Sequence, residues 1–297
     1  MSEEQFVHHV NVFKDPTGGG INQRLLLGWT SLLQHTDLTE DEKAHLFRIC
    51  NFIAVKLAAV YGHLRQYTAV EDELIARVRA APPPTPPVVR VVEVSQELFL
   101  ELDEFLVQLK STLDYLVKIP IPILGRAHWN LRRFGNEGED LRRVLERNTP
   151  KEHREWAEGV IAQLIDRHKP WLQTAIGLRD ELNHYLDGSI PIERFAVYCE
   201  TPGDPASIRC PIWAGTTTLR AALETLWRNL FLLVEDFVPF FLDRRRHKGF
   251  AFYKHAEGAD STTPLWHCSL DEQALAGLQR ATAQRKQPST GHNAEKT

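Results

Sequence analysis

The stretch QELFLELDEFLVQLKSTLDYLVKI, Gln96–Ile119, decides the fold class. Phe99, Leu102, Leu106, Leu109, Leu113 and Leu116 recur at alternating spacings of three and four, the repeat of one continuous apolar stripe on a long helix. Such a stripe has to be covered, so the chain is expected to fold as a helical bundle around it.

Upstream, Ser95 is a suitable N-cap, and VVRVVEV, Val88–Val94, is β-branched enough for a short strand. APPPTPP, Ala81–Pro87, cannot continue a helix because proline lacks the amide donor. Residues 81–94 therefore read as a linker and short strand that bounds a helical region over residues 1–80. In that region the opening residues, ending DPTGGG, have turn composition. Thr39 with Glu42 and Thr68 with Glu71 match the capping box, predicting two helix starts.

Downstream, Pro120 and Pro122 stop the long helix and open an irregular excursion before a short helix, EDLRRVLER. Thr149, Pro150 and Glu152 predict a helix running to about His168. Pro170 either kinks it or begins the next, which carries WLQTAIGLRDELNHYL and ends before Gly188. RFAVYCE and ASIRCPIW, joined by TPGDP, read as a β-hairpin at about 192–213. TLRAALETLWRNLFLLVEDFVPFFL carries a second long apolar face, with Pro239 near its end. FAFYKH and PLWHCSL suit short strands, a last helix follows Ser269, and the polar residues 281–297 are expected to be a disordered tail. The expected fold is mainly α: an up-and-down helical bundle over residues 95–280, with an inserted hairpin and an N-terminal helical extension.

The chain has 297 residues, 43% hydrophobic and 25% charged, enough to bury a sizeable core without staples. A net charge of -4 supplies no general basic field, so nucleic acid would need a local patch. Cys50, Cys199, Cys210 and Cys268 include no C-x-x-C pair and read as free thiols, although Cys199 and Cys210 could face each other across the hairpin. MSEEQFVHHVNVFKD lacks the basic start and apolar run of a signal peptide, and no run of 18 uninterrupted apolar residues occurs. A reducing cytoplasm and no membrane are the expectation.

Functional chemistry concentrates in LRDELNHYLDG, Leu178–Gly188. Arginine is permanently cationic and grips phosphate with two parallel hydrogen bonds; histidine exchanges protons near neutrality. Asp180, one turn before His184, suits orienting its ring, and Asn183 adds a neighbouring hydrogen-bond donor. At ~100° per residue, Arg179 and His184 stand ~140° apart, so they converge only if two copies of the helix pair about a two-fold axis. Cations near a helix C-terminus also simply suit the dipole, which is the structural alternative.

Arg179, the polar Asp180 after it, and His184 resemble the R-x4-6-H motif of HEPN domains, an all-helical superfamily of mostly metal-independent ribonucleases and toxins. LKSTLDYLV, Leu109–Val117, resembles the first helix of several HEPN groups, and the resemblance spans roughly Ser95 to Arg246. It implies a homodimer that cleaves RNA without metal or cofactor, as a toxin or phage-defence effector, with an antitoxin or regulatory protein as a further candidate partner. It assigns Arg179 to the scissile phosphate and His184 to proton transfer as the 2′-hydroxyl attacks, leaving a 2′,3′-cyclic phosphate. The N-terminal helical region and the hairpin after the motif depart from compact members.

Two other readings stay open. The same bundle without activity would be a non-catalytic interaction module. Glu42-x-x-His45 and Glu181-x-x-His184, with Glu101, Glu104 or Glu235, offer the spacing of a di-iron bundle, though Glu42 sits where a helix start wants acid. Asp114 either faces the motif or is structural, and RRRHK, Arg244–Lys248, either holds RNA or is solvated. Trp129, Trp156, Trp171, Trp213 and Trp227 read as core or interface aromatics, and GGG at Gly18 lacks the G-K-[ST] of a P-loop.

Overall fold

The computed structural model describes residues 14–81, 93–125, 129–184, 195–201, 204–255 and 262–286. It is mainly α, 70% helix against 9% strand. The expected strand at Val88–Val94 falls largely outside these residues, as does the tail from 287 onward.

Helix α1 (Gly28–Leu33) extends a π-helical segment, Gly20–Leu27. Asp15 caps that segment's start, its carboxylate accepting the amides of Ile21 (2.9 Å) and Asn22 (2.8 Å). Helix α2 (Glu40–Ala80) is 41 residues long and begins on the expected capping box: Thr39 Oγ1 accepts the Glu42 amide at 3.3 Å, and Glu42 accepts the Thr39 amide at 2.8 Å. Its acidic first turn and its arginines Arg77 and Arg79 in the last both suit the helix dipole. It stops at Ala81, held extended by the proline that follows.

The second start expected at Thr68 is absent, because α2 runs straight through. Thr68 donates its hydroxyl to the Leu64 carbonyl (2.9 Å), and Glu71 turns its carboxylate to Arg220 instead of back to a cap. A matching four-residue pattern lost to an apolar stripe, Val60, Leu64, Tyr67 and Val70, that continues across it.

Helix α3 (Gln96–Leu116) begins at Ser95, whose hydroxyl accepts the Leu98 amide. It packs along α2 as its chief partner, and α2 in turn packs on α8 (Leu219–Leu242). The residues expected as an extension in front of the bundle are thus part of it. One core of buried side chains runs from Ile21 through Leu57 and Phe105 to Phe237 and Leu242. A window of α2 is long and apolar enough to cross a membrane, and its apolar residues include those the helix places in this core.

Short elements close the bundle. After α4 (Pro120–Leu124) the chain is tied to α3: the Trp129 indole donates to the Val117 carbonyl (2.6 Å), and Asp114 accepts the Phe134 amide (2.7 Å) and the Lys110 ammonium (2.5 Å). Helix α5 (Glu139–Asn148) ends before Thr149, which does not cap the next helix as expected; a single 3-10 turn intervenes and α6 (Arg154–Val160) starts later. A π-helical stretch, Ile161–Asp166, leads to α7 (Lys169–His184), with Pro170 in its first turn, where its missing donor costs nothing.

Within the segment expected as a hairpin, two-residue strands β1 (Tyr198–Cys199) and β2 (Ile208–Arg209) pair antiparallel, Tyr198 opposite Arg209 and Cys199 opposite Ile208. Cys199 therefore does not face Cys210, and all four cysteines are free thiols. A second small pair, β3 (Ile212–Ala214) and β4 (Thr217–Thr218), leads into α8. FAFYK and WHCSL pair as β5 (Phe250–Lys254) and β6 (Trp266–Leu270), followed by α9 (Glu272–Lys286).

Candidate functional site

Helix α7 carries the arginine–histidine motif and lies against α3 and α8. Leu172, Ala175, Leu178 and Leu182 form its buried stripe, at the three- and four-residue spacing that makes a core face. Arg179 borders that stripe; its side chain is 36% exposed, with the guanidinium Nε buried. Nη1 donates to Asp180 Oδ1 at 3.1 Å, and Asp180 is itself 45% exposed. The ion pair is solvent-accessible and of small energetic weight, so its effect is to orient the arginine. Asn183 and His184 occupy the last turn of α7, and their side chains lie outside the described residues.

Asp114 does not join this pair. Its carboxylate fixes the 129–135 loop to α3 through the Phe134 amide, which assigns it a structural role. Two of the five RRRHK side chains are engaged: Arg245 binds Asp37 (2.7 Å) and the Ile123 carbonyl (3.2 Å), and Arg246 binds Asp243 (2.8 Å). The Arg245 bonds tie the end of α8 to the α1–α2 turn, so these two arginines serve the fold.

Three of the carboxylates suggested for a di-iron centre are committed elsewhere. Glu42 holds its helix cap, Glu101 binds His63 Nδ1 at 2.8 Å, and Glu235 takes both Arg24 nitrogens at 2.6 and 2.8 Å. Among the described residues no group of three or more histidine, cysteine or acidic side chains is placed to hold one metal ion.

Two charged arrangements were not legible in the sequence because each joins distant segments. Arg24 on the first helical segment pairs with Glu235 on α8, whose side chain is only 3% exposed. Arg220 on α8 binds Glu71 and Asp72 on α2. Burial pushes the Glu71 carboxyl above its ordinary range, with Arg220 opposing, and burial likewise raises the Tyr67 phenol. A buried neutral group lies beside α7: His168, next to the first residue of that helix, accepts the Trp171 indole N–H at Nδ1 (2.9 Å). Burial, helped by the charge of Arg167, lowers its pKa to about 4 and keeps the ring neutral.

The aromatic expectation holds: Trp129 is buried, and Trp156, Trp171, Trp213 and Trp227 pack against the core, the Trp156 indole donating to the Phe240 carbonyl (3.0 Å). Trp227 also lines an open groove beside Tyr61 and Phe231. Its only local signal was a tryptophan followed directly by an arginine on an apolar helix. Comparison with known proteins found no matching family model, no matching curated protein and no matching solved structure.

Proposed function

We propose that the chain is a metal-independent endoribonuclease of the HEPN type, acting as a cytoplasmic homodimer on RNA. The observation that supports it is the placement of Arg179: a partly exposed guanidinium beside the buried stripe of a bundle helix, oriented by Asp180 through Nη1, five positions before His184. A phosphate-binding arginine needs that combination, since a mobile side chain would lose ordering entropy on every encounter.

In this reading Arg179 of one protomer grips the scissile phosphodiester and His184 of its partner takes the proton of the ribose 2′-hydroxyl. The O2′–P bond forms as the P–O5′ bond breaks, and the imidazolium returns its proton to the departing 5′-oxygen. The products are a 2′,3′-cyclic phosphate and a free 5′-hydroxyl. Asp180 positions the arginine, and Asn183 supplies a neighbouring donor. The motif residues themselves provide charge and proton transfer, so the scheme is complete without a metal.

Purified parent, Arg179→Ala and His184→Ala proteins incubated with fluorescent single-stranded RNA test this. The expected result is cleavage to cyclic-phosphate ends by the parent and a rate lower by about a hundredfold or more in each variant. A parent that leaves a broad panel of RNAs intact favours the non-catalytic interaction module, and a His184→Ala protein as fast as the parent removes the assigned role.

A further inference from the structure

A groove of about 500 Å3 opens between the start of the first helical segment and the middles of α2 and α8. Helix α2 lines it with Tyr61, Leu64, Arg65 and Thr68, and α8 with Glu224, Trp227, Arg228 and Phe231. Both sets follow the same spacing of three, one and three residues, so each helix offers one continuous face to the groove. The volume lies within the roughly 300–1,000 Å3 range of small-molecule sites.

The lining has two chemical halves. Tyr61 and Trp227 lie with ring centroids 5.1 Å apart and tilted by 50°, and Trp227 and Phe231 follow at 5.7 Å and 59°, which makes a wall of three angled rings. All three rings are only partly buried. Arg65 and Arg228 stand exposed at its margin, and neither makes a hydrogen bond or ion pair among the described residues. Arg24 lies over the Phe231 ring at 5.3 Å, but Glu235 neutralises it. Glu224 is the remaining charge, so the cationic excess comes from Arg65 and Arg228.

Tyr61, Trp227 and Phe231 pack against the core on one side and leave the other open to the groove, with the two guanidinium groups beside them. A wall of rings offers stacking to a flat heterocycle, and two arginines at its margin match phosphate oxygens bidentately. The exposed Glu224 carboxylate accepts from a ring amino group or a ribose hydroxyl. We infer that this groove binds a nucleoside 5′-phosphate, its base on the wall formed by Tyr61, Trp227 and Phe231 and its phosphates on Arg65 and Arg228. The site shares no residue with the Arg179–His184 motif, so it stands or falls separately from the nuclease reading.

Isothermal titration of the full chain with ATP, GTP, AMP, adenosine, inorganic phosphate and a short oligoadenylate tests it. At least one nucleoside phosphate should bind with a dissociation constant of ~100 µM or below, with adenosine and inorganic phosphate each about tenfold weaker or more. Arg65→Gln and Arg228→Gln alter exposed side chains and should leave the fold intact, while each weakens that binding about tenfold. Trp227→Leu should weaken it as well. No heat from any nucleoside phosphate at millimolar concentration overturns the proposal. So does an affinity unchanged in the double arginine variant, phosphate binding as tightly as the nucleotides, or a groove that takes only the oligonucleotide.

Discussion

Arg24→Met should be among the most destabilising single substitutions outside the apolar core. Glu235 is buried to 3% side-chain exposure in the middle of α8, and its carboxylate receives two charge-assisted hydrogen bonds from Arg24, at 2.6 and 2.8 Å. Methionine keeps the unbranched stem and much of the packing on Phe231 but leaves the carboxylate buried and uncompensated. Removing one member of such a pair typically costs about 3–5 kcal/mol. In a chain of this size that corresponds to a melting temperature lower by roughly 10 °C. Urea unfolding of parent, Arg24→Met and the double variant Arg24→Met/Glu235→Gln separates the causes. The neutral amide no longer needs a counter-charge, so the double variant should recover about half of the loss or more. An Arg24→Met protein within about 1 kcal/mol of the parent, or a double variant no better than the single, would refute the reasoning.

Other expectations follow from local geometry. His168 titrates at about 4 in the folded chain because burial penalises its charged form, against about 6.5 when unfolded. Its contribution to stability is therefore complete above pH 6.5 and lost as pH falls towards 4, of order 3 kcal/mol, and urea midpoints of the parent against His168→Asn over that window should show a smaller decline in the variant. Asp114→Ala leaves the Phe134 amide without its acceptor and should cost about 2 kcal/mol, with Asp114→Asn retaining part of the bond, by the same measurement. Thr39→Ala removes one half of the α2 capping box and should cost about 1 kcal/mol.

The helices were legible wherever one apolar stripe and one cap agreed. The Gln96 stretch and the Thr39 start formed as read, and FAFYK and WHCSL took up the short strands expected of them. Local patterns failed where a distant partner decided the outcome. Thr68 and Glu71 look like a helix start until Arg220, far along the chain, claims the glutamate. The role of residues 1–80 was misjudged for the same reason. Proline-rich sequence breaks a helix but says nothing about whether the two sides share a core, and here α2 and α3 pack on each other across it. At the candidate site, sequence identified a phosphate-binding residue type, while the half-exposed setting of Arg179 and its bond to Asp180 needed coordinates. The groove between α2 and α8 was illegible because its halves are far apart in sequence and each reads alone as an ordinary helix face.

Mixing the two inactive variants tests the shared-site nuclease most directly. If Arg179 of one chain works with His184 of the other, equal amounts of Arg179→Ala and His184→Ala protein, allowed to exchange subunits, form mixed dimers with one intact site in two. Half of the dimers are mixed, so RNA cleavage should return to about a quarter of the parent rate. Cleavage that stays at the level of the separate variants while light scattering confirms mixed dimers, or a parent that is monomeric, would contradict the account.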